Sequence, residues 1–219
     1  MLAAWAAGIA AGTALVARWA IVGPGFTWLG MSVAVLFGVP AALAGGGSMA
    51  WIACGAALLG GVMARSRGVA STAALMAALA FVVAGSGEGD PVLVTAATVV
   101  LGGVTSEMLL GHWYLVDPRL PRSALRSLCL IGLAGSVLDV VVVLASGALP
   151  WGSADAIIGM GWVVLALSGI LLMGAVWLAL RERGYPAVMA ATGLSYLAVL
   201  TTIGAVVLGR VLVTGETLG

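Results

Sequence analysis

Apolar runs of about seventeen or more residues recur from one end of the chain to the other, broken only by short turns. No other feature constrains the fold as much. A bilayer core is about 30 Å thick and takes about twenty apolar residues per crossing, and a helix satisfies its own backbone N–H and C=O groups where water is absent. Hydrophobic residues make up 63% of the chain and charged residues 8%, where a soluble domain is roughly one-quarter charged. The expected fold is all-α, a polytopic integral membrane protein of about eight transmembrane helices over 2–22, 27–44, 48–64, 69–86, 91–116, 123–147, 157–180 and 186–209. Gly45-Gly46-Gly47-Ser48 reads as a tight turn, and 85–90, closed by Pro91, as a longer loop. No polar stretch is long enough for a soluble domain, which argues against ordinary hydrolase, kinase and nucleic-acid-binding classes.

The chain echoes itself. Arg18-Trp19-Ala20-Ile21-Val22-Gly23-Pro24-Gly25-Phe26 returns 94 positions later as His112-Trp113-Tyr114-Leu115-Val116-Asp117-Pro118-Arg119-Leu120, with six of nine columns alike. Arg65-Ser66-Arg67-Gly68 is echoed by Arg181-Glu182-Arg183-Gly184. Two four-helix repeats are expected, 1–90 as scaffold and 91–219 carrying Glu107, His112 and Asp139.

Arginine placement predicts orientation. Setting the 65–68 turn in the cytoplasm puts eight of nine arginines there and leaves Arg210 outside with Glu88, Asp90, Asp155 and Glu216, as the positive-inside bias expects. Trp5, Trp51 and Trp151 then fall near the outer boundary, and Trp19, Trp28, Trp113 and Trp177 near the inner one. Both termini are expected outside. Four spans per half make the repeats parallel, related by an axis along the membrane normal. The start lacks the basic stretch of a signal peptide, so the first helix is expected to be retained. Arginine without lysine, in a chain rich in Ala, Gly and Val, suggests a bacterial inner membrane.

Glu107 is the sharpest functional signal, about 15 Å deep when counted back from the Asp117-Pro118 end. Gly103, Glu107, Gly111 and Tyr114 share its helix face, where small residues admit a neighbouring helix. A carboxyl in hydrocarbon is costly, which suits a proton- or ligand-binding group, or a neutral acid bonded to the next helix. Asp139 lies on a stripe with Cys129, Gly132 and Ser136 and carries the same two readings. It is expected several Å nearer the outer side, pairing with Glu107 only if its helix shifts or tilts. His112, the sole histidine, stands five residues from Glu107, about 140° round the helix, and aligns with Arg18. It reads as a ligand or proton group, or as an interfacial anchor making a cation or phosphate contact. Arg119, Arg122 and Arg126 surround a turn stiffened by Pro118 and Pro121, suited to lipid headgroups, a partner subunit or topology alone. Gly8 and Gly12 form a GxxxG that permits close packing within or between chains.

Other chemistry lacks its residues. There is no Walker loop, HExxH, CxxC or serine–histidine set, Cys54 and Cys129 lie in apolar runs, and one histidine cannot provide paired haem ligation, so no enzyme activity is expected. Arg18-Trp19 before Gly23-Pro24-Gly25-Phe26 resembles, over under a dozen residues, the cytochrome c assembly proteins that handle haem. The tryptophan-rich haem motif and paired histidines of that group are missing, so the resemblance carries no assignment. The expected function is a small transporter-like protein handling a proton, small anion or amphiphile through an intramembrane carboxyl. The alternative is a non-catalytic accessory or assembly subunit of a larger respiratory or other complex carrying quinone, haem or pigment. Its partners would be lipid and membrane subunits or a second copy, not nucleic acid, and no cofactor is specified.

Overall fold

A computed structural model describes residues 1–117, 119–149 and 156–215, apart from the side chain of Glu88. Expectations resting on Pro118, Trp151, Asp155 and Glu216 lie outside the described residues. The described chain is all-helical: α1 Leu2–Trp19, α2 Pro24–Leu43, α3 Gly47–Val62, α4 Arg67–Glu88, α5 Pro91–Val116, α6 Arg122–Ala145, α7 Ala156–Ala179 and α8 Tyr185–Thr214. Seven of these are long and apolar enough to cross a membrane. The exception is α3, where a crossing is expected over 48–64. The glycine turn before it and the arginine turn after it leave only 16 residues, about 24 Å of helix against a core of about 30 Å.

Two other boundaries differ from expectation. The 85–90 stretch is not a loop, because α4 runs on to Glu88. Gly85 lets α4 close on α5, where an added Cβ would come within 3.1 Å of Val94. The chain then turns over Gly89 and Asp90, and the Asp90 carboxylate accepts from the Val92 N–H at 2.7 Å while Pro91 opens α5. At the other end, α8 continues through Arg210 to Thr214.

Within α1–α4, successive helices pack together and α1 also packs on α4; α5–α8 follow the same scheme. The cores differ. That of α1–α4 is mostly alanine, with Phe81, Met31 and Ile9 as its large members. That of α5–α8 is filled by Leu101, Leu110, Leu125, Leu128, Met173 and Tyr114. The two groups meet where α1 crosses α5. A Cβ on Gly8 would lie 2.5 Å from the Gly102 Cα, and one on Gly12 would lie 1.9 Å from the Ser106 hydroxyl. Only glycine lets the backbones approach so closely. One face of the molecule holds the N-terminus and the α4–α5 turn, and the opposite face holds the turns that carry most of the arginines.

Candidate functional site

Helix α5 runs through the middle of this arrangement, packed on α1, α4, α6 and α8. Its small residues serve different neighbours. A Cβ on Gly103 would meet the Gly132 nitrogen of α6 at 2.6 Å, and one on Gly111 would meet the Thr192 hydroxyl of α8 at 2.9 Å. Glu107 lies between these two approaches, nine residues from the end of α5 at Val116, about 14 Å from that end.

Its side chain is 0% exposed. The Ser195 hydroxyl of α8 stands close enough to hydrogen-bond the carboxyl, and Cys129 of α6 lies within electrostatic reach of it. The Ser195 hydroxyl, however, donates to the Ala191 carbonyl at 2.8 Å, and Cys129 Sγ donates to the Met173 carbonyl at 3.4 Å. Both carboxyl oxygens of Glu107 are buried without a hydrogen-bond partner, and so is the neighbouring Ser106 hydroxyl. Buried polar groups in folded proteins are overwhelmingly paired, so an unpaired carboxyl in a packed interior calls for an explanation. Thr13, 94 positions earlier, is also buried, but its hydroxyl donates to the Ile9 carbonyl at 2.8 Å.

Asp139 belongs elsewhere. The Gly103–Gly132 and Gly135–Val100 approaches fix the α5–α6 register, which sets Asp139 level with residue 96 and about 16 Å from Glu107 along α5. This is further than the few Å expected, and the two acids do not pair. Asp139 instead accepts from Arg210 Nη2 at 2.6 Å, and the same nitrogen donates to the Leu93 carbonyl at 2.8 Å. The Arg210 and Asp139 side chains are 12% and 5% exposed. Arg210, expected as the lone cation outside, is thus drawn into the bundle by a buried acid. A cavity of about 350 Å³ beside it opens on the N-terminal face between α1, α4, α5 and α8, lined by Asp90, Leu93 and Arg210 among others.

Tyr114 is buried on the α5 face expected, but its hydroxyl donates to the Pro121 carbonyl in the turn below, away from Glu107. His112 is exposed, and its Nδ1 lies 3.3 Å from the Tyr196 hydroxyl on α8. Arg122 and Arg126 brace the turn between α7 and α8. Arg122 donates to the Glu182 and Gly184 carbonyls at 2.6 and 2.7 Å, and Arg126 to the Leu180 carbonyl at 2.7 Å. Both cations tie the start of α6 to that turn. Arg119 is exposed, and its backbone N–H donates to the Asp117 carboxylate at 3.1 Å. Glu107, Asp139, His112 and Tyr114 therefore stand in separate surroundings and form no single pocket.

Sequence reasoning passed over Ser195, Ser106, Thr202 and Trp162. Serine and threonine in a helix hide easily, since each can bond its own preceding turn, as Ser195 does. The Thr202 hydroxyl and Trp162 Nε1 are buried without partners. Among the described residues no group of three or more His, Cys, Asp or Glu could hold a metal ion. No protein-family model, curated protein or solved structure matches this chain.

Proposed function

We propose that this chain is a multi-pass membrane protein of two parallel four-helix repeats that handles protons through Glu107. One observation carries the reading: a fully buried carboxyl whose two oxygens make no well-formed hydrogen bond, where α5 packs against α6 and α8. An ionised carboxylate there would stand unpaired away from water, at a cost of several kcal/mol. The resting site is then the neutral acid, which releases its proton when the helices part and water enters. Of the cargoes expected from sequence, a small anion is repelled by a carboxylate and an amphiphile needs space beside it. A proton needs neither attraction by a cation nor a cavity.

The repeat reading is supported at the α1–α5 crossing. Gly8 meets Gly102 and Gly12 meets Ser106. Each pair is 94 residues apart, the offset between the Trp19 and Trp113 segments. A residue that touches its own counterpart marks a two-fold axis, as in an isologous interface. By the positive-inside bias the arginine-rich face is cytoplasmic and both termini lie outside, in a bacterial inner membrane.

The test is proton flux into liposomes reconstituted with the protein and loaded with a pH-sensitive dye, driven by a potassium diffusion potential. Glu107→Gln should lower flux by about tenfold or more, the scale of a lost proton-transfer group, with helicity and insertion unchanged. Thr13→Ala should stay near wild type. Wild-type flux in Glu107→Gln would sink the site.

A second reading draws on α7. Ile157, Met160, Val164, Leu167 and Leu171 are all strongly exposed and follow alternating three- and four-residue spacing, the pattern of a helix–helix seam. Stoichiometric membrane partners, or a haem or pigment band, on mild purification would favour an accessory subunit.

A further inference from the structure

Among the described residues, four of the nine arginines have partners within the chain. Arg122 and Arg126 hold carbonyls of the α7–α8 turn, Arg181 lies 3.6 Å over the Trp177 ring, and Arg210 holds Asp139. Arg18 and Arg67 have no such acceptor among the described residues, and both line one cavity of about 340 Å³ on the arginine-rich face. They reach it from different helices, Arg18 in the last turn of α1 and Arg67 at the first residue of α4.

The rest of the wall suits an anion. No carboxylate is among the lining residues, and the two arginines there, both exposed, have no counter-charge in the wall. The N-terminus of α4 borders it, and the N-cap Ser66 makes no side-chain cap bond. The N–H groups of that first turn are therefore open to another acceptor, and they carry the positive end of the helix dipole. Gly68, also in the wall, leaves open space where a Cβ would stand, so an oxygen can approach the backbone. The hydroxyls of Ser71 and Thr72 already donate, to the Ala14 and Gly68 carbonyls at 3.2 and 2.9 Å. The free donors are thus the two guanidinium groups and the helix N–H groups. Guanidinium pairs bind phosphate oxygens bidentately, which a lone lysine-like charge does not.

We infer that the cavity between the end of α1 and the start of α4 is a phosphate site, gripped by Arg18 and Arg67. It lies where helices end, at the level of lipid headgroups if the apolar bundle spans a bilayer, so a phospholipid or a soluble phosphate could deliver the group. The site is independent of Glu107.

Native mass spectrometry of the detergent-solubilised protein, titrated with phosphatidylglycerol, tests this, with inorganic phosphate added in parallel by calorimetry. One tightly held phosphatidylglycerol is expected. Arg18→Ala and Arg67→Ala should each weaken it by about tenfold or more, the loss of a charge-assisted contact. Arg65→Ala, which removes the same charge two residues from Arg67 but outside the cavity, should change binding less than about twofold. Binding of inorganic phosphate alone, with the same dependence on Arg18 and Arg67, would identify a soluble ligand at this site. Failure of both probes, or equal weakening by Arg65→Ala, would overturn it.

Discussion

Arg210 is held inside the bundle by two acceptors, the Asp139 carboxylate and the Leu93 carbonyl, while its Nη1 is buried without a partner. Removing either side chain of the pair leaves the other charge largely buried without its counter-charge. Asp139→Asn and Arg210→Met should each lower stability by about 3–5 kcal/mol, the usual cost of breaking a buried pair. The double variant Asp139→Leu with Arg210→Met should recover most of that, because apolar side chains of similar volume need no desolvation. Thermal unfolding in detergent reads the difference, and a double variant as unstable as the singles would show that the pair is not the cause. Asp139 was legible from the 129, 132, 136 and 139 stripe, since small and polar residues on one helix face mark an inward side. Its partner was not. Arg210 lies 71 residues away, and a lone arginine ending an apolar run reads as the membrane edge, although here an internal acid carries the helix past it. Glu107 stood out as the one acid in its run, but its lack of a well-formed hydrogen bond depends on where Ser195 and Cys129 send their own protons.

Among the elements, α5 depends on glycine on more than one side. Gly103, Glu107, Gly111 and Tyr114 fall on one line in sequence, and the line is real, but α6, α8 and the following turn share it. Gly102, one residue round the helix, meets α1 and was not singled out, because a GxxxG such as Gly8–Gly12 advertises a close approach without naming the helix opposite. Gly102→Ala would place a Cβ 2.3 Å from the Gly8 Cα. The backbones must then separate, at about 1–3 kcal/mol or more. Gly174→Ala on α7 meets nothing within 4 Å and should instead stabilise its helix by up to about 1 kcal/mol. Unfolding of the two variants side by side checks both signs. A Gly102→Ala protein as stable as wild type would mean that the α1–α5 contact is not close.

For the whole molecule, the arrangement of the halves follows from helix count. Four helices return the chain to the face on which it began, so α5 starts on the same side as α1 and the two run in the same direction, as the Gly8–Gly102 and Gly12–Ser106 contacts require. The apolar runs made this count readable. Helix lengths were less so: α3 has 16 residues where α7 has 24, and α4 has 22 where α8 has 30. Hydropathy falls gradually at a helix end, whereas caps and tertiary partners set where it stops. Short α3 makes the topology worth testing directly, because a helix that failed to cross would invert everything after it. With Cys54 and Cys129 replaced by alanine, single cysteines at Ser66, Glu182 and Gly89 report on the two faces. All three positions are exposed. Ser66→Cys and Glu182→Cys should react with an impermeant maleimide only from the cytoplasmic side, and Gly89→Cys only from the other. Labelling of Ser66→Cys and Gly89→Cys from the same side would mean that α4 does not cross. Opposite labelling of Ser66→Cys and Glu182→Cys would make the halves inverted rather than parallel, and the α1–α5 axis could not then relate them.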